Sequence, residues 1–231
     1  MTARRSARRR PRIVGVIASR ADLDCALQMR RPPDLFELRL DCLADVADQL
    51  QNTLVKLRVP LIITARHPQE GGSRKLSLQQ RHDLLKRYLN HADYLDVELR
   101  SASALRRLLA IAEARKVRRI ISFHNLQSTP SQRVLAAKAR AARANRADIF
   151  KVATRTDAPM ELGRLLDFMK NSPVHIPLAV MGIGKLGAIS RVLLARAGSV
   201  LIYASLGAAS DIEGQLSLEE LRALGFGASK Y

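Results

Sequence analysis

Eight short runs of aliphatic and β-branched residues recur from Ile13 onward, and stretches rich in Ala, Leu and Arg separate them. The strand candidates are Ile13 to Ala18, Leu35 to Leu40, Leu61 to Arg66, Tyr94 to Leu99, Arg119 to His124, Ile149 to Ala153, Ile176 to Met181 and Val200 to Ala204. Helices are expected near Ala21 to Met29, Ala44 to Leu57, Leu78 to Asn90, Ala102 to Arg115, Ser131 to Asn145, Pro159 to Lys170 and Gly187 to Arg196, with Leu218 to Leu224 closing the chain. Ser77 and Ser101 stand where N-caps belong, Ser131 follows Pro130 at a helix entry, and Pro159 suits a first helical turn. Eight strand-then-helix units in one domain call for an α/β (β/α)8 TIM barrel rather than an open doubly wound sheet. A dinucleotide fold would carry Gly-x-Gly-x-x-Gly after its first strand; here Gly182-x-Gly184-x-x-Gly187 follows the seventh, where phosphate or carboxylate contacts suit a barrel better.

A chain of 231 residues with 47% apolar content can bury one sizeable core. Residues 1–11 are expected to form a disordered basic arm, with an organelle-targeting role as the lesser alternative, and residues 12–231 the catalytic barrel. Only Cys25 and Cys42 occur, without metal-type spacing, which points to free thiols in a reducing compartment, by default the cytoplasm. No apolar run approaches the ~18 residues of a membrane span. The net charge of +18 is spread well beyond the arginines of the arm. Such a field favours anionic ligands and non-specific nucleic-acid contact, but no nucleic-acid-binding signature accompanies it. The reading favoured is a solvated basic surface that draws in small anionic ligands, with no specific nucleic acid and no membrane as partners.

Within the run Asp148 to Thr154 a lysine interrupts apolar, β-favouring sequence. A buried lysine carries a desolvation cost, so Lys151 needs a partner or a task. If it points into a barrel, the same parity selects Glu37, Arg39 and Asp41 in strand two, Thr64 and Arg66 in strand three, Tyr94, Asp96 and Glu98 in strand four, and Ser122 and His124 in strand five. Phe36, Leu38 and Leu40 then pack outward. These polar positions gather toward strand C-termini, the end where barrel enzymes build active sites. A structural ion-pair network accounts equally well for Glu37, Arg39, Arg66 and Glu98. His124 and Lys151 converging on one cavity favour catalysis.

A lysine is a nucleophile only when neutral, a state that desolvation or a nearby cation such as Arg39 or Arg66 favours. It then forms an imine with a ketone. The protonated imine draws electrons and acidifies the adjacent carbon, and a histidine can remove that proton and return one to a leaving hydroxyl. On the residues alone, the reading is a Schiff-base lyase or aldolase acting on an anionic carbonyl compound. A basic nucleic-acid-binding module and a barrel that has lost its activity remain alternatives.

Six pieces in order resemble the type I 3-dehydroquinate dehydratases: Glu37 to Asp41, Arg66 to Gly72, Ser122 to His124, Phe150 to Ala153, Met181 to Arg191, and Gly214-Gln215. The resemblance implies a (β/α)8 barrel that dehydrates 3-dehydroquinate to 3-dehydroshikimate through an imine, without metal or dissociable cofactor; a homodimer is the expected assembly. By matching position it makes Lys151 the imine-forming residue, His124 the acid/base, and Glu70 the carboxylate that orients His124 and raises its pKa. Arg191 becomes the clamp on the substrate carboxylate. Glu37, Arg39 and Arg66 line the pocket and hold substrate hydroxyls, and Gln215 and Asp211 belong to the closing loop. That loop departs from the family's Ser or Ala-x-Pro-Gly-Gln pattern: Ser210 to Gln215 lacks the proline and adds Asp211 and Glu213, which weakens its preorganisation or repels the substrate carboxylate. The N-terminal arm is also unlike the hairpin that covers the barrel floor in this family, which leaves a hydrophobic floor to a short strand pair or a partner subunit.

Overall fold

Every strand lies parallel to its neighbours, and the ladders follow chain order almost all the way round. In the computed structural model, which describes residues 10–44, 50, 53–207 and 212–227, β1 (Arg12–Ile17) pairs with β2 (Leu35–Arg39), then β3 (Leu61–Thr64), β4 (Tyr94–Glu98), β5 (Arg118–Asn125), β6 (Ile149–Arg155) and β7 (Leu178–Ile183). On its other side β1 pairs with β8 (Leu201–Ser205). β7 and β8 share no ladder. Their seam is held by Val200 N–H donating to Leu178 O at 2.8 Å, and by Val180 N–H donating to the Ser199 hydroxyl at 3.0 Å. The result is a nearly closed (β/α)8 barrel, as the alternation of runs predicts.

The helices are α1 (Arg20–Gln28), α2 (Leu78–Tyr88), α3 (Arg106–Ala114), α4 (Gln132–Ala144), α5 (Pro159–Lys170), α6 (Gly187–Ala197) and α7 (Leu218–Ala223). The helix expected over Ala44 to Leu57 lies for most of its length outside the described residues, as do residues 1–9 of the basic arm. Arg10, from the end of that arm, forks onto Asp34 at 2.7 and 3.0 Å. Ser77 caps α2 in a reciprocal box with Gln80. Ser101 is not the expected N-cap. It ends the 3-10 turn Leu99–Ser101, its hydroxyl accepts from Arg81, and α3 begins only at Arg106.

Side-chain alternation sorts the strands into two faces. Phe36, Leu38, Ile63, Leu95, Val97, Phe150 and Val152 join the outer core with helix residues such as Leu85, Leu135 and Phe168. Phe150 meets Phe168 edge-on at 6.4 Å between ring centroids. Facing inward, Val14, Leu35, Ile62, Tyr94, Ile120, Ile149, Ala179 and Leu201 form the apolar lower part of the barrel. Two arginines rim this apolar floor. At the first residues of their strands, Arg12 and Arg118 donate to the Tyr94 hydroxyl at 2.7 and 2.9 Å, and both guanidinium groups lie 5.2 Å from its ring centroid. No described helix is long and apolar enough to cross a membrane.

Because the seam lacks a ladder, Ser199 carries weight out of proportion to its size: its hydroxyl accepts from Val180 and donates to Leu201 O at 2.9 Å. Ser199→Ala leaves the buried Val180 amide unpaired. Unfolding in urea should show a loss of about 1–3 kcal/mol, and an unchanged midpoint would mean that the seam is held otherwise.

Candidate active site

The middle of the barrel is an ion network assembled from five strands. Asp96 of β4 sits at its centre. Its two oxygens accept from Arg66 at 3.1 and 2.9 Å, Oδ2 also accepts from Lys151 Nζ at 3.0 Å, and Oδ1 accepts from the Ser122 hydroxyl at 2.6 Å. Glu37 of β2 takes Lys151 Nζ at 3.3 Å and the Thr64 hydroxyl at 2.8 Å. Arg66 further reaches Ser122 Oγ at 2.7 Å and Glu98 at 3.3 Å. All of these side chains are buried. Burial alone would raise the Asp96 carboxyl, but Arg66 and then Lys151 outweigh it and hold Asp96 well below the ordinary carboxylate range.

Register explains why these residues meet. Ser122 stands opposite Lys151 across the β5–β6 ladder, and His124 lies one inward step nearer the C-terminal mouth, opposite Ala153. The loop after β3 supplies the partner of His124. His67-Pro68-Gln69-Glu70 closes as a 3-10 turn over Pro68–Glu70, and Gly71 ends it in the left-handed region at φ 90°. Gly72 has no room for a side chain, since a Cβ there would lie 2.4 Å from Arg66 O. The turn delivers Glu70 Oε2 to the His124 backbone amide at 2.9 Å and to its Nδ1 at 3.0 Å. When Glu70 is ionised and Nδ1 carries the proton, Nε2 keeps the free lone pair.

The electrostatics of this pair reverse the expected sign. Burial, followed by Arg66 and Lys151, pushes the His124 imidazole well below its ordinary value. Burial, with the charge of Glu98 adding to it, pushes Glu70 up to about 7. Glu70 therefore orients the imidazole without holding a proton on it. The neighbours of Lys151 also differ from expectation. Its amine lies against Asp96 and Glu37, and Arg39 instead pairs with Asp41 at 2.8 and 3.0 Å and with Gly71 O at 3.0 Å. Arg66 engages protein acids on both nitrogens, so as placed it holds carboxylates rather than presenting free donors to a ligand.

Arg191 on α6 is different. It is buried, its Nε donates to Gly214 O at 3.1 Å, and an NH1 hydrogen points at Met181 Sδ at 3.5 Å. No carboxylate pairs with it among the described residues. Burial lowers its pKa to about 10, which leaves it charged at neutral pH. Its place depends on two facing glycines, because a Cβ on Gly214 (φ 77°) would meet Gly187 Cα at 2.6 Å. Gln215 follows, half-buried, with its amide on Ile212 O at 3.0 Å. Asp211 lies outside the described residues. No cluster of three or more His, Cys, Asp or Glu suited to a metal occurs among the described residues.

Known proteins share both the sequence and the barrel of this chain. The family model described as type I 3-dehydroquinase matches residues 16–226. The chain belongs to that family. The 3-dehydroquinate dehydratase of Shouchella clausii is 32% identical over 207 residues, covering 84% of this chain and 80% of that protein. That of Enterococcus faecalis is 34% identical over 205 residues, with 82% and 79% covered. Among solved structures, the type I enzyme of Clostridium difficile, holding covalently modified comenic acid, has a TM-score of 0.82 at 25% identity over 93% of this chain and 90% of that one. The Geobacillus kaustophilus 3-dehydroquinate dehydratase has a TM-score of 0.81 at 27% identity over 93% and 89%.

The parity of Lys151 already marks Asp96 and Glu98 as inward, although their part as hub and support emerges only from the geometry. Arg81 of α2 escapes sequence reasoning because a lone arginine on a helix reads as surface. It is fully buried, donates to Ala65 O at 2.8 Å and pairs with Glu98. Tyr203 escapes because the inward parity has to be carried on to β8 to find it.

The raised Glu70 carboxyl has a consequence for stability. Its folded pKa of about 7 lies above the ordinary 4.5, so the folded state binds this proton more tightly, and the stability it contributes is lost as pH rises from 4.5 through 7. Glu70→Gln keeps an acceptor for His124 and removes the titration. From pH 5 to pH 8 the variant should gain on the order of 2 kcal/mol relative to wild type in denaturant unfolding. Parallel pH profiles would mean that Glu70 titrates normally.

Proposed function

We propose that this chain dehydrates 3-dehydroquinate to 3-dehydroshikimate, the type I 3-dehydroquinate dehydratase reaction of the shikimate pathway, through an imine on Lys151. Family membership supports the reaction. The observation that carries the residue roles is the buried Lys151 amine, 3.0 Å from Asp96 and 3.3 Å from Glu37, in the same barrel mouth as His124 and an Arg191 that lacks an acid.

Arg191 receives the substrate carboxylate, for which its planar fork is suited. Lys151 passes a proton to a neighbouring base and attacks the ketone carbon, so that a C–N bond forms and the carbonyl oxygen departs as water. The protonated imine draws electrons, and a neutral His124 can take the proton from the adjacent carbon, giving an enamine. The enamine electrons return to expel the hydroxyl one carbon further on, protonated by His124, and water then releases the conjugated product from Lys151. Asp96 and Glu37 stabilise each cationic form of the nitrogen. Arg39, Arg66, Gln215 and Asp211 enter the proposal as substrate-binding residues, with Arg66 acting through the acids it aligns.

A cytoplasmic homodimer is part of the same proposal. It is supported by the free thiols Cys25 and Cys42 and by Ile189 and Leu193, exposed one turn apart on α6. Sedimentation at micromolar concentration tests it; a monomer at all concentrations would remove it.

Borohydride reduction in the presence of 3-dehydroquinate, followed by intact-mass measurement and peptide mapping, tests the mechanism. Wild type should gain one reduced ligand on Lys151, and Lys151→Ala should show neither adduct nor turnover. His124→Ala should lower kcat by roughly 10²–10⁴ while still allowing some adduct. Wild-type turnover in Lys151→Ala would sink the mechanism.

A further inference from the structure

Two buried side-chain polar atoms among the described residues lack a hydrogen-bond partner: Ser172 Oγ, after α5, and the hydroxyl of Tyr203. Tyr203 occupies an inward position of β8, paired with Val14 of β1, and is 4% exposed. Its ring forms a wall of the site. Lys151 Nζ lies 4.1 Å from the ring centroid, with the acids Asp96 and Glu37 as its other partners.

That arrangement gives the two parts of the tyrosine separate tasks. The negative face of an aromatic ring attracts a cation, most strongly where water is excluded. The ring therefore closes one side of the amine while the carboxylates hold its protons, and an incoming carbonyl must approach from the side left open. The hydroxyl follows a different logic. A phenol buried without a partner destabilises the fold, and a phenylalanine would fill the same space without that loss. Burial, reinforced by Glu37 and Asp96, raises the phenol well above its ordinary value, so it stays a neutral donor.

We propose that Tyr203 positions Lys151 through its ring face and donates its hydroxyl to an oxygen of the same oxygenated, anionic ligand whose carboxylate Arg191 holds. The inference rests on the imine reading of Lys151. It adds a specificity element: a ligand lacking the acceptor leaves a buried donor unpaired and is discriminated against.

Tyr203→Phe removes only the hydroxyl and Tyr203→Met removes the ring, so the pair separates the two tasks. With 3-dehydroquinate, Tyr203→Phe should form the Lys151 borohydride adduct at about the wild-type rate while KM rises roughly tenfold, the size of one lost hydrogen bond. Tyr203→Met should in addition slow adduct formation at saturating ligand by roughly tenfold or more, with its fold checked by circular dichroism. The ligand-free Tm of Tyr203→Phe should equal or exceed that of wild type. An unchanged KM in Tyr203→Phe, or a lowered Tm, overturns the donor role, the second because it gives the hydroxyl a structural partner. Adduct formation at the wild-type rate in Tyr203→Met overturns the positioning role. Failure of wild type itself to trap ligand on Lys151 overturns the imine reading and this inference with it, which separates the two failures.

Discussion

One carboxylate, Asp96, holds two cations at once in the middle of the barrel, Arg66 through both its oxygens and Lys151 through one. Taking an isolated charge out of water costs several kcal/mol, so none of the three tolerates burial alone. The surrounding residues complete the balance. Glu37 adds a second acid to Lys151, and Glu98 joins Arg66 to Arg81, the buried arginine that enters from α2. Glu37, Asp96 and Glu98 thus match Arg66, Arg81 and Lys151, and Arg39 with Asp41 makes a further neutral pair. Arg191 is left over. The centre of the barrel is nearly neutral, and its mouth holds Arg191 without an acid and Glu70, whose carboxyl beside a neutral His124 is pushed up to about 7; protonation of Glu70 leaves the Arg191 charge unmatched, an electrostatic address for a monoanion.

The same network decides the protonation of the His124–Glu70 pair. A carboxylate beside a histidine ordinarily stabilises the imidazolium, which is why the matched motif leads one to expect a raised pKa. Burial, which disfavours the imidazolium and the carboxylate alike, reverses the sign, and neighbouring charges add to it. Arg66 and Lys151 are cations facing the imidazole, and Glu98 is an anion facing Glu70. The histidine is kept neutral and the acid is pushed up to about 7. A neutral imidazole oriented through Nδ1 has the lone pair that the proposed base requires, so the network supports that proposal while reversing the expected charge.

Much of this was legible because β-strands have a period of two. Once Lys151 is set inward, the polar residues of four other strands follow without knowledge of register, and Glu37, Thr64, Asp96 and Ser122 meet Lys151 in the buried network. Legibility ended where an argument needed a distance in space. Arg81 sits on an amphipathic helix that gives no sign that one cation turns toward the core, and Ser101 has the chemistry of an N-cap but lies several residues short of the helix it was expected to start. The basic rim of the apolar floor escapes the sequence because Arg12 and Arg118 begin their strands, where each looks like a solvent-facing end residue. Only closure of the barrel brings both onto Tyr94.

The loop after β8 shows how the family motif and the physics separate. Loss of the proline removes a source of stiffness, and the added Glu213 brings negative charge close to the arginine proposed to bind a carboxylate. Glu213 nevertheless turns to Arg155, 3.3 Å away at the end of β6, and its backbone carbonyl accepts from Gly184 N–H at 3.0 Å. Arg155 also pairs with Asp157, which accepts from the Lys185 amide. An exposed ion pair of this kind is largely screened by solvent, so it directs the charge of Glu213 outward without fixing the loop. The fixing falls to backbone: Gly184 N on Glu213 O, the glycine contact of Gly187 with Gly214, and Gly214 O on Arg191 Nε. Those contacts depend on the absence of side chains at residues 187 and 214, not on a proline. The segment beside Arg191 is therefore anchored by the part of the motif this chain has kept.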